Sequence, residues 1–126
     1  MTFTAYLPLP SPTLSPNAKP HWAYKARAIK AARKEAWYWF NRVKPSDWKP
    51  IPIQIEVHYH CPKKTYGYKP RDSMNAIAAM KPMIDGMVDA GIIPDDSANW
   101  LSWGKFKLTR RANGIKAGVY IKVSGS

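Results

Sequence analysis

The sequence predicts an α+β domain, a small mixed or antiparallel sheet packed against two main helices. Three observations carry that expectation. Apolar residues recur at helical spacing in segments 22–43 and 73–90. Alternation of apolar and polar residues marks strands at 2–7 and 51–60, and again after Trp100. The resulting order, β, α, β, α, β, β, lets each helix bury its stripe on a sheet face. At 126 residues the chain suits one domain, 1–126.

Each element has a local reason. Thr2 to Leu7 alternates as a short strand, and Pro8, Pro10, Pro12 and Pro16 forbid its continuation. Residues 8–21 form a long extended loop, of the kind that contacts a partner. From Trp22 to Val43, the residues Trp22, Ala26, Ile29, Ala36, Phe40 and Val43 line one stripe, and Pro45 ends the helix. In 51–60, Ile53, Ile55, Val57 and Tyr59 face one side; Gln54, Glu56, His58 and His60 face the other. Residues 61–71 form a basic loop. In the helix from Ser73 to Ala90, Pro82 should introduce a kink or a new first turn, and Gly91 sits where a C-terminal glycine belongs. Residues 92–97 form an acidic loop. The remainder predicts a hairpin, Trp100 to Thr109 and Ile115 to Val123, turning at Asn113-Gly114.

Twenty Lys and Arg against eight Asp and Glu give a formal charge of +12, which points to a polyanionic partner such as nucleic acid. The single cysteine, Cys61, excludes an intrachain disulfide and favours a reducing cytoplasm. The proline-broken N-terminus does not read as a signal peptide. No long apolar run suggests a membrane span.

The acids are unevenly placed. Asp72, Asp85, Asp89, Asp95 and Asp96 cluster, whereas Glu35, Asp47 and Glu56 are dispersed. Carboxylates converging from separate loops are a usual way to hold Mg²⁺, which takes oxygen ligands and keeps several waters. A divalent ion beside a phosphodiester offsets charge and activates water. Lys81 could donate to a phosphate oxygen or orient a carboxylate. A straight helix of about 27 Å would keep Asp72 and Asp95-Asp96 apart, so a bend at Pro82 or pairing between two chains is required. A plainer reading stands beside this one: Asp85 and Asp89 could form a solvated ion-pair row with basic neighbours, and Pro94-Asp95-Asp96 is common turn composition.

His58, His60 and Cys61 would need further ligands at suitable spacing to hold zinc; no second cysteine exists and His21 is the only other candidate, so a structural or solvated role is expected. The six Trp and seven Tyr could stack on bases, but at least half are expected in the core, and none is assigned to DNA. The better phosphate contacts are Lys19, Lys25, Arg27, Lys63, Lys64, Lys69 and Arg71; a solvated basic face is the alternative.

The segment Arg71-Asp72-Ser73-Met74-Asn75, followed by Lys81-Pro82-Met83-Ile84-Asp85-Gly86, Asp89-Ala90-Gly91 and Pro94-Asp95-Asp96-Ser97, resembles the signature of RusA-like Holliday junction resolvases. Leu14-Ser15-Pro16-Asn17, His21-Trp22 and Lys25-Ala26-Arg27 resemble the N-terminal part of the phage and actinobacterial branch. The likeness extends over roughly residues 3–123. It implies a homodimeric endodeoxyribonuclease, phage- or prophage-encoded, that cuts four-way junctions with Mg²⁺ or Mn²⁺ during recombination, repair or phage DNA processing. It implies no small-molecule cofactor and no membrane.

By that resemblance Asp72 and Asp96 match family carboxylates, Lys81 the functional lysine and Asp85 the acid four residues later. Asp95 or Asp85 would complete the metal ligands. Asn17, His21 and Asn75 join the basic residues as expected DNA contacts. One departure matters: relatives commonly read Arg-Asp-x-Asp-Asn, and Met74 replaces the second Asp. Its loss leaves three outcomes open: weaker Mg²⁺ binding, a metal shifted toward Asp85 or Asp95, or DNA binding without cutting.

Overall fold

A computed structural model describes residues 1–9, 14, 21–61, 73–110 and 117–125. The described elements, in chain order, are β1 (Thr2–Leu7), α1 (Trp22–Val43), β2 (Ile53–Cys61), α2 (Ser73–Ala79), α3 (Lys81–Asp89), β3 (Leu101–Arg110) and β4 (Gly118–Gly125). The α+β expectation holds. The strands form one mixed sheet in the order β1-β4-β2-β3.

β2 is the centre of the sheet. Its inward set, Ile53, Ile55, Val57 and Tyr59, is buried throughout. It pairs antiparallel with β4 on one side and parallel with β3 on the other. The parallel pair needs a crossover, and α2 and α3 supply it. An irregularity between the Ile55/Trp103 and Val57/Phe106 pairs gives β3 one extra residue. The bulge keeps Trp103, Phe106 and Leu108 on the inward face although their spacing breaks alternation.

The expected hairpin between Trp100 and Val123 is not formed. β3 and β4 lie on opposite edges of β2, so the Asn113-Gly114 segment joins strands that do not pair. Asn-Gly is a local turn signal, whereas strand order is set by which inward faces can be buried together. Val119, Ile121 and Val123 of β4 are fully buried between β2 and β1. Residues 111–116, including that dipeptide, lie outside the described residues.

The helices meet the inward sheet face in one core, where Phe40, Tyr59, Met80, Met87, Ile92 and Ile93 are among the largest buried side chains. The long second helix breaks at Met80, and Lys81 and Pro82 open α3, so Pro82 begins a new first turn. α3 ends in a Schellman motif. Gly91 takes φ 81°, its N–H donates to Val88 O at 2.9 Å, and Ile92 N–H donates to Met87 O at 3.3 Å. α1 and α3 approach closely because Gly86 has no side chain. A Cβ there would collide with Arg33 O and stand 2.6 Å from Ala36 Cβ.

α1 departs from expectation in its first half. Ala36 and Phe40 are buried, but Trp22, Ala26 and Ile29, predicted on the same stripe, are exposed. Periodicity finds the apolar side of a helix; it does not say how far the body extends along it. Among the described residues, no helix is long and apolar enough to cross a membrane.

Candidate functional site

The site is built where α3 begins. Lys81 and Asp85 lie one turn apart on the same side of that helix. Lys81 Nζ donates to Asp85 Oδ1 at 2.9 Å and to Asp96 Oδ2 at 2.6 Å. Asp96 follows Lys81 by 15 residues. The reversal at Gly91 turns the chain back along α3 and returns Asp96 to the helix's first turn. Lys81 is exposed, and hydrogen bonds from it to Asp96 and Asp85 push its ammonium pKa up. It is therefore fully charged at neutral pH.

The neighbouring acids serve other ends. Asp95 Oδ1 accepts the Ser97 N–H at 2.9 Å, forming an Asx-type turn. The Ser97 side chain and backbone hold the Asp95 carboxyl below its usual range. Asp89 accepts a two-pronged pair from Arg33 of α1, Nε at 2.5 Å and Nη2 at 2.8 Å, which clamps α1 to α3. Those bonds lower the Asp89 pKa, and Asp85 also acts electrostatically on Arg33. No local sequence pattern pairs Arg33 with Asp89, which lies 56 residues away.

Lys81 and Asp96 border an open cavity of about 290 Å³ whose apolar walls are Ile77, Ala78, Ile84, Leu101 and Trp103. Trp103 is 41% exposed. It stands opposite Ile55 on the edge strand β3, and no local sequence signal distinguishes it from Trp39, Trp48 and Trp100, which pack against the core.

The structure thus brings Lys81, Asp85 and Asp96 together. Asp72 lies outside the described residues, immediately before α2, as do Asn17, Lys19, Lys63, Lys64, Lys69 and Arg71. Asn75 belongs to α2, but its side chain is outside the description. Lys25 and Arg27 are exposed on α1. His21 caps that helix, its Nδ1 accepting the Ala23 N–H at 3.3 Å.

Among the described residues, no three His, Cys, Asp or Glu side chains are grouped as a metal site. Asp85 and Asp96 nevertheless share one cation, the Lys81 ammonium, through oxygens within 3 Å of it. That donor set is hard and anionic, and it fits Mg²⁺ in kind. On the outer sheet face, His60 is buried beside His58 and Tyr120. Burial, then the charges of His58 and Lys107, lower its pKa. Among the described residues, no third His, Cys, Asp or Glu side chain is grouped with this pair.

No family model matches the chain. Among curated proteins, it is similar to an uncharacterized protein of Xylella fastidiosa, with 33% identity over 95 residues. The match covers 71% of this chain, which spans only 58% of that protein's length.

Proposed function

We propose that this chain is a RusA-like, structure-specific endodeoxyribonuclease that acts as a homodimer on four-way junctions or related branched DNA with Mg²⁺ or Mn²⁺. The observation that carries the reading is the meeting of Asp96 with Lys81 and Asp85. The two carboxylates that the resemblance places in one site with Lys81 both lie within hydrogen-bond distance of its nitrogen. The formal charge of +12 and the exposed cations of α1 add the phosphate attraction such a substrate needs.

In this reading Lys81 Nζ donates to a non-bridging oxygen of the scissile phosphate. Asp85 and Asp96 hold that ammonium charged and aimed. When one of its N–H groups donates to phosphate in place of a carboxylate, the released carboxylate oxygen would be free to ligate a cation. Asp72, Asp85 and Asp96, with Asp95 adjacent, would hold the divalent ion. When bound, that ion would neutralise charge at the phosphate and lower the pKa of the attacking water.

A second reading is a catalytically weakened DNA-binding relative. Met74 stands where a carboxylate is expected, and the Lys81 ammonium is ion-paired with both Asp85 and Asp96. Cleavage of a synthetic four-way junction separates the two. Metal-dependent cutting that Asp96→Asn abolishes supports the enzyme. Equal cutting by both proteins sinks the site. Binding without nicking, rescued by Met74→Asp, identifies the weakened relative.

A further inference from the structure

The first half of α1 presents an unusual surface. Trp22 is 77% exposed and Tyr24 61%. The His21 ring lies 5.6 Å from Trp22, inclined 32°, and 6.1 Å from Tyr24. The Arg27 guanidinium stands over the Tyr24 ring at 5.0 Å. Lys25 and Lys30 are exposed beside them, and the first turn of the helix carries no acid. Flat exposed rings interleaved with cations match a ligand that is both aromatic and anionic, which is the chemistry of an unpaired nucleotide.

The position fits the same ligand. Arg33 reaches Asp89 and interacts with Asp85, so α1 passes beside the acids of α3. The helix from Arg33 back to Trp22 covers about 16 Å, about five stacked nucleotides of a strand.

We propose that His21, Trp22 and Tyr24 form a stacking platform for unpaired bases of DNA, with Lys25 and Arg27 on the adjoining phosphates. The platform extends the nuclease reading, since it would hold the single-stranded part of a branched substrate a few nucleotides from the cut.

The test is binding of fluorescein-labelled oligodeoxythymidine and of an equally long duplex, by anisotropy at fixed salt without divalent metal. Trp22→Ala should weaken oligodeoxythymidine binding by about five- to hundredfold, while Trp22→Phe stays within about threefold of wild type. Duplex binding should change little, and the salt dependence should keep its slope, because no phosphate contact is lost. Absence of oligodeoxythymidine binding by the wild type would overturn the platform. So would an unchanged affinity in Trp22→Ala, or an equal loss on duplex. A fall in oligomeric mass of Trp22→Ala by sedimentation would assign the surface to contact between copies instead. The nuclease reading fails separately: a Trp22 effect with no Asp96-dependent cutting leaves the platform standing, and the reverse removes only the platform.

Discussion

The two ends of α3 carry the same residue type and put it to different use. At the C-terminal end, Asp89 is held by Arg33, Gly86 lets α1 approach, and Gly91 closes the helix with two backbone bonds. At the N-terminal end, Asp85 and Asp96 share one exposed lysine beside an open cavity. The first end joins two helices. The second gathers charge where a ligand can reach it. An aspartate-rich run is therefore not one site; the element each acid faces decides its role.

Substitutions at the packed end should cost most. Phe40 is fully buried where α1 meets the core, and Phe40→Ala should lose about 3–5 kcal/mol in urea unfolding. Gly86→Ala inserts a methyl between α1 and α3 and should lose about 1–3 kcal/mol. A smaller loss would show that the helices can separate without disturbing the core. At the open end, Lys81→Met should change the melting temperature little, because exposed ion pairs are worth at most about 1 kcal/mol. The same variant should abolish junction cutting, and that split between stability and activity separates the two ends.

Titration separates them again, with the smallest effects. The Asp89 pKa is lowered by folding, so its contribution is present above the unfolded value of 3.8 and is lost as pH falls through the lower folded value. The Lys81 pKa is raised by folding. Its contribution is full below 10.5 and is lost as pH rises through the higher folded value. In melting temperature against pH, Asp89→Asn should flatten only the acid limb, and Lys81→Met should flatten the alkaline one. If Asp89→Asn leaves the acid limb unchanged, the clamp contributes nothing.

Much of this was legible from local pattern. Alternation located β1 and β2, periodicity and Pro45 bounded α1, and Pro82 and Gly91 bracketed α3. What the sequence hid is long-range. The pairing of Arg33 with Asp89 depends on the close crossing at Gly86. The return of Asp96 to Lys81 depends on the direction the chain takes after Gly91, which no spacing rule encodes. Asn113-Gly114 misled because a turn signal carries no information about which strands pair. The exposed Trp22 misled because it sits on the stripe that Phe40 buries, beyond the reach of the core.

The central claim is that Asp96, and not Asp89, belongs to the chemistry. Single-turnover cleavage of a synthetic four-way junction with Mg²⁺, using wild type, Asp89→Asn and Asp96→Asn, tests it most directly. The account predicts that Asp89→Asn cuts within about threefold of wild type and that Asp96→Asn loses at least about a hundredfold, the scale of removing one transition-state partner. Equal rates for wild type and Asp96→Asn, or a greater loss from Asp89→Asn, would contradict it.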